Sequence, residues 1–183
     1  AAVDKEACPL NLAPTASTTA ALALGDALAV ALLDARGFSA DDFARTHPGG
    51  SLGRRLLVHV HDIMHTGDAL PKIDHGASLK VALLEMTKKG LGMTAVVDGN
   101  GKVTGVFTDG DLRRALEHAL DLQQARVTDL MTKNPKTIYA DELAVAAVEK
   151  MDTLKINGLL VVDHDNTLLG ALNMHDLLKA GVV

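Results

Sequence analysis

The sequence predicts an α/β chain of the α+β kind: two copies of one small unit, each a small sheet with flanking helices, behind a helical N-terminal segment. Three observations predict it. Blocks of sequence recur in the same order across the last two thirds of the chain. Within each copy, helical spacing of apolar residues gives way to short continuous apolar runs bounded by turn residues. Residues 1–58 share none of the repeated blocks and read as helix and loop. The expected organisation is therefore residues 1–58, then a first copy over 59–120 and a second over 121–183.

The N-terminal segment opens with a loop from Cys8 to Pro14. Thr15, Ser17, Thr18 and Thr19 then start a long Ala-rich helix that ends at Gly37, with Leu22, Ala29, Leu32 and Leu33 near helical spacing. Gly25 inside that helix predicts close approach of another backbone. Ser39-Ala40-Asp41-Asp42 is a capping signature for a second, short helix. A Gly-rich loop, His47-Pro48-Gly49-Gly50-Ser51-Leu52-Gly53-Arg54, follows around an isolated histidine.

The repeat itself is carried by three pairs of blocks. Asp62-Ile63-Met64 returns as Asp129-Leu130-Met131, and Leu91 to Asp98 returns as Ile156 to Asp163. Gly105-Val106-Phe107-Thr108-Asp109-Gly110-Asp111-Leu112 returns as Gly170-Ala171-Leu172-Asn173-Met174-His175-Asp176-Leu177. In copy one, Ser78 caps a helix with Leu79, Ala82, Leu83 and Met86 at helical spacing, and Gly90 stops it. In copy two, Asp141 precedes Leu143, Ala146, Ala147 and Met151. Next come the strands Thr94 to Val97 and Leu159 to Val162, with turns at Gly99-Asn100-Gly101 and His164-Asp165-Asn166. A second strand then enters a last helix at Asp109 or Met174, making each copy helix–strand–strand–helix. One such unit buries too little apolar surface to stand alone, so the copies are expected to pack on each other.

Composition narrows the function classes. The 183 residues are 48 % hydrophobic, 22 % charged and only 2 % aromatic, with no Trp, so the core is aliphatic. A net charge of −5 and the lack of a basic stripe or aromatic platform argue against a nucleic-acid partner. Apolar runs such as Ala27 to Leu33 are too short to span a bilayer, so no membrane partner is expected. Cys8 is the single cysteine, which excludes an internal disulfide and fits a reducing cytoplasm. The opening Ala1-Ala2-Val3 reads like chain interior, so a further N-terminal part is expected.

Candidate binding chemistry lies where the second strand of each copy meets its last helix. Thr108 and Asp111 stand there in copy one, Asn173 and Asp176 in copy two, and Arg113 and Arg114 sit close by. A Thr-x-x-Asp pair is equally a helix start, with Thr as cap and an acid in the first turn, and Asn173 is as good a cap. These blocks resemble the CBS domain, and two in tandem resemble a CBS pair over roughly residues 59–183. That family's form is Gly, two apolar residues, Ser or Thr, two residues, then Asp. Gly105, Thr108 and Asp111 match it, whereas copy two has Asn173 between Gly170 and Asp176. The resemblance implies a cleft between the copies that holds a regulatory nucleotide or nucleotide-sugar, with no other cofactor required. Thr108 would approach phosphate, Asp111 and Asp176 would accept from ribose hydroxyls, and Arg113 would reach phosphate.

The first segment resembles the C-terminal end of a sugar isomerase (SIS) domain, and most of all that of bacterial arabinose-5-phosphate isomerases. The matching residues are Glu6 to Leu10, Ala13 to Thr19, Gly25 to Ala29, Arg36 to Phe38, His47 to Arg54, and Asp62 to Gly67. The resemblance implies interconversion of D-ribulose 5-phosphate and D-arabinose 5-phosphate for Kdo and lipopolysaccharide synthesis. It also implies a homo-oligomer, tetrameric in the family. It assigns His47 an acid–base role, one a histidine can fill near neutral pH. The family's phosphate-binding loop and its catalytic Lys and Glu lie upstream of this chain, so the chain alone is expected to be inactive on the sugar phosphate. A stand-alone nucleotide sensor and a dimerisation module without catalysis are the alternatives.

Three further features carry less. His59, His61 and His65 are close in sequence, but no cysteine or convincing carboxylate completes a metal set, so no metal site is assigned. Cys8 has no evident base and reads as a small buried residue. Lys88 and Lys89 suit the negative end of a helix.

Overall fold

The computed structural model describes residues 2–46, 50–117 and 125–183 and divides into two compact units, Ala1–Thr46 and His47–Val183.

The first unit holds α1 (Ala16–Ala35) and α2 (Ala40–Thr46) behind the predicted loop. Thr15 is the N-cap of α1 but makes no side-chain cap. The Glu6 carboxylate does that work from nine residues upstream, accepting from Thr15 N at 2.7 Å and Ser17 N at 3.3 Å. Hydrogen bonds from the Ser17 hydroxyl, then from the Thr15 N–H, hold its pKa down at about 2 against an ordinary 4.5. Because the folded value is depressed, this contribution is complete above pH 4.5 and is lost as pH falls through about 2. The Glu6 carboxyl carbon and the Thr15 amide, followed by NMR, should therefore titrate together near pH 2; a midpoint near 4.5 would contradict the cap. The Ser39 capping box forms as predicted, with Asp42 Oδ2 accepting from Ser39 N at 3.0 Å.

Two expectations for α1 change. A Cβ at Gly25 meets nothing within 4 Å, so no backbone approaches it among the described residues. The helix also has no buried residue, and over 20 residues it is long and apolar enough to cross a membrane by length and composition alone. The short runs hid this because Ala fills the gaps between them. A helix apolar on all sides needs cover from something larger.

The second unit begins with α3 (Ser51–Leu57) and the single turn α4 (Val60–Ile63), then a 3-10 turn at Gly67–Ala69. Copy one runs β1 (Lys72–Asp74), α5 (Leu79–Lys89), β2 (Met93–Val97), β3 (Val103–Thr108), α6 (Asp109–Glu117). Copy two follows as α7 (Val127–Leu130), β4 (Thr132–Lys133), β5 (Thr137–Tyr139), α8 (Ala144–Leu154), β6 (Gly158–Val162), β7 (Leu168–Asn173) and α9 (Met174–Lys179). Each copy thus gains a leading strand that the sequence reading lacked. β1 and β5 have three residues each, too few to show an alternating pattern. In copy two the helix starts at Ala144 after Leu143, not at Asp141, because the residues before it form a turn closed by Glu142 N to Tyr139 O.

The sheets have matching topology. β1 lies parallel to β2, and β2 antiparallel to β3, with Thr94 opposite Phe107. β5, β6 and β7 repeat this, with Leu159 opposite Leu172. The strands β2 and β6 are buried on both faces, as continuous apolar runs require. On one face, Val96 joins Leu79, Ala82, Met86 and Phe107 in the core of copy one, while Leu159 and Val161 join Ala147, Met151 and Leu172 in that of copy two. On the other face, Met93 and Ala95 meet Leu160 and Val162 to form a third core along the seam between the copies. The hairpin tips tie the seam further, through Val103 N to Asn166 O at 3.0 Å and Leu168 N to Gly101 O at 3.1 Å.

The copies also exchange segments. Val127 and Met131 open copy two in the chain but pack in the core of copy one, and β4 pairs with β3. Val60 and Met64 open copy one in the chain but pack on copy two, where His65 bridges to Ala171. Glycine permits both approaches: a Cβ at Gly105 would strike the Met131 side chain, and one at Gly170 that of Met64.

Among the described residues, one buried side-chain polar atom is unsatisfied. The Thr94 Oγ1 is buried without a hydrogen-bond partner, at the place where copy two has Leu159. Thr94→Val removes that polar group at nearly constant volume and should stabilise the protein by about 1 kcal/mol. A lower urea midpoint for the variant would show that the hydroxyl is satisfied after all.

Candidate functional site

A cavity of about 750 Å³ opens along the seam. Its copy-one wall is the start of α6, with Thr108, Asp109 and Gly110, backed by Arg113 and Arg114. Its copy-two wall is the end of α8 and the start of α9, from Lys155 to Gly158 and from Asn173 to His175. Thr132, Asn134, Pro135 and Lys136, from the segment that crosses to copy one, close one side. Arg113, Arg114, Lys136 and Lys155 thus surround a space in which Asp109 is the lining carboxylate. Such a rim attracts an anion, and a cavity of this size suits one small organic ligand.

The residues singled out from sequence take different places around it. Thr108 and Arg113 line the cavity. Asp111 stands behind the lining and is only 3 % exposed. Both its oxygens are engaged. Oδ2 accepts from Thr108 N at 2.9 Å and from the Thr108 hydroxyl at 2.6 Å. Oδ1 accepts from Thr132 Oγ1 at 2.9 Å and from the Arg114 guanidinium. Asp111 N donates back to Thr108 Oγ1 at 3.3 Å, so the Thr-x-x-Asp pair forms a reciprocal helix cap. The hydroxyl proton of Thr108 is committed to Asp111. In this arrangement Asp111 shapes the wall by fixing Thr108, Arg114 and Thr132.

Asp176 repeats the pattern with one change. Its Oδ2 accepts from Asn173 N at 2.9 Å, and Asp176 N donates to Asn173 Oδ1 at 3.1 Å. Its Oδ1 meets His65 Nε2 at 2.9 Å, where Asp111 meets Thr132. His47 lies outside the described residues. His59 and His61 stack at 5.4 Å, and His61 Nδ1 faces Ala140 O at 3.0 Å. These two rings and His65 turn to different partners, and among the described residues no group of three His, Cys, Asp or Glu could hold a metal. Cys8 is partly buried, and backbone N–H groups of Ala13, Leu12, Leu10 and Asn11 lower its pKa below the usual thiol value.

Sequence reasoning missed Thr132, Lys136 and Lys155. Thr132 and Lys136 belong to copy two in chain order and reach copy one only through the exchanged segment. Lys155 carried a faint signal, since it occupies the left-handed helix end (φ 53°) that Gly90 holds in copy one.

The chain is 60 % identical over 183 residues to the arabinose 5-phosphate isomerase KdsD of Pseudomonas aeruginosa, and 56 % identical over 181 residues to that of Escherichia coli K12. It spans 56 % and 55 % of those relatives' lengths. Among solved structures, the CBS domain protein PAE2072 of Pyrobaculum aerophilum, complexed with AMP, superposes with a TM-score of 0.60 at 20 % identity, over 66 % of this chain and 90 % of that one. CBSX2 in complex with AMP gives 0.58 at 25 % identity, over 68 % and 96 %. The CBS domain pattern matches residues 60–118 and 127–182, the two halves that share the seam, and the chain belongs to the CBS-domain family as a tandem pair.

Proposed function

We propose that this chain is the regulatory C-terminal part of an arabinose-5-phosphate isomerase, and that its CBS pair binds a nucleotide-type regulator in the seam. The observation that carries the reading is the cavity beside Thr108, rimmed by Arg113, Arg114, Lys136 and Lys155, in a chain that is 60 % identical throughout to KdsD of Pseudomonas aeruginosa. Adenine nucleotides in the cited structural neighbours support the ligand class. Thr108 and Arg113 face the ligand. Asp111 positions the wall, and Asp176 holds the equivalent place in copy two.

In the whole protein, residues 1–58 complete a sugar isomerase domain, whose remainder covers the apolar α1. Its substrates are D-ribulose 5-phosphate and D-arabinose 5-phosphate, for Kdo and lipopolysaccharide synthesis in the cytoplasm. His47 serves there in acid–base chemistry, and the enzyme is a homo-oligomer, a tetramer as in its family. A regulator drawn from the downstream product would be a nucleotide-activated sugar acid. Titration calorimetry of the chain with AMP, CMP and CMP-Kdo should give heat with at least one. The same compound should then change the isomerase rate of the full-length enzyme. Absence of heat with all three would leave the CBS pair as an assembly block, a reading favoured by the closed Thr108–Asp111 cap.

A further inference from the structure

We propose that the seam takes one anionic ligand per chain, on the copy-one half, and that His65 keeps the matching half of copy two shut. The inference rests on the ligand-binding reading above and adds its stoichiometry, its location and the charge of the ligand.

The two copies allow a position-by-position comparison. β3 and β7 run in step, so Thr108 corresponds to Asn173, Gly110 to His175, Asp111 to Asp176, and Arg113 and Arg114 to Leu178 and Lys179. The exchanged segments correspond in the same way. Thr132 pairs with Val106, and His65 with Ala171, the residue equivalent to Val106. Thr132 and His65 therefore occupy one structural position, each 2.9 Å from the acid of the copy it crosses to.

Their consequences differ. Thr132 is small and leaves space in front of Asp111, and it lines the cavity. His65 places an imidazole in front of Asp176, with its side chain only 31 % exposed. Gly110 adds no side chain at the start of α6, whereas His175 adds another ring at the start of α9.

Charge separates the halves further. Arg113, Arg114, Lys136 and Lys155 have as counterparts Leu178, Lys179, Pro71 and Gly90. The residues lining the cavity include all of the first set and, of the second, only Gly90. An anion entering the seam meets its countercharges on one half. Clustered guanidinium and ammonium groups favour phosphate or carboxylate over an uncharged nucleoside. The ligand class is thus a nucleotide or nucleotide-sugar with at least one phosphate held against Arg113 and Lys136.

Calorimetry of the full 183-residue chain with AMP as probe tests this. The expected result is one equivalent per chain, with adenosine at least about tenfold weaker. The double variant Arg113→Ala, Lys136→Ala should weaken AMP about tenfold or more. Both side chains are exposed, so its circular dichroism and melting should match the parent. Lys179→Ala, on the other half, should bind AMP as the parent does. Two equivalents, or a loss caused by Lys179→Ala and not by the double variant, would overturn the inference while leaving nucleotide binding in place. No heat with AMP, CMP or CMP-Kdo would remove the binding reading and this inference together.

Discussion

Replacing Asp111 with Ala should destabilise the second unit by about 2 kcal/mol, which lowers the melting temperature by roughly 4–8 °C. The buried carboxylate is the common acceptor for Thr108 N, the Thr108 hydroxyl, Thr132 and Arg114. Losing it removes the helix cap of α6 and the link from copy one to the crossing segment at once. The cost stays moderate because the Arg114 side chain is 61 % exposed and regains water, leaving the Thr108 N–H as the main stranded donor. Single variants at Thr108 and Thr132 should each be milder, and their effects should not add, since both act through one carboxylate. Asp111→Asn keeps an acceptor and should recover part of the loss. If Asp111→Ala melts within a degree of the parent, the network does not hold the wall of the cavity. The same variant should weaken nucleotide binding without removing any cavity-lining side chain.

A larger loss, about 4 kcal/mol, is expected from Phe107→Ala. Phe107 is fully buried, and the chain has few aromatics with which to fill its core. Its ring stands opposite Thr94 on β2 and packs among Leu79, Ala82, Met86 and Val127. These residues come from α5, β2 and the crossing segment, so the cavity left behind could close only if elements from both ends of the copy moved. Total stabilities of domains this size are commonly about 5–15 kcal/mol, so the variant should stay folded but be marginal. Leu172→Ala, the counterpart in copy two, removes less volume and should cost about 3 kcal/mol. Urea denaturation measures both. A cost below about 1 kcal/mol at Phe107 would mean that the core of copy one repacks freely. Because Phe107 precedes Thr108, its removal should also loosen the start of α6 and the ligand wall.

The seam joins the two copies through both core and crossing segments. Each copy contributes one wall, and the segment that carries Thr132 and Lys136 belongs by chain order to copy two and by packing to copy one. The segment of α3 and α4, which packs on copy two, lies on that same framework. Val60 N to Glu142 O at 2.9 Å and Ala144 N to Val58 O at 2.8 Å tie this segment to α8.

By itself the sequence determined the repeat, the apolar runs of β2 and β6, the hairpin turns, and the helix starts at Ser78, Asp109 and Met174. Apart from the repeat, these follow from neighbours within about four residues, where periodicity and turn chemistry operate. It also brought Thr108, Arg113 and Arg114 to notice, because they lie on one short stretch. Tertiary structure alone decided the exchange of segments, the short strands β1 and β5, and the different fates of the two acids. His65 and Asp176 are 111 positions apart and Thr132 and Asp111 are 21 apart, and no local pattern records such pairs. Whether Asp176 faces a ligand or a histidine depends on which segment crosses the seam. That is settled by packing glycine against methionine at Gly170 and Gly105, a contact that exists only once both copies have folded.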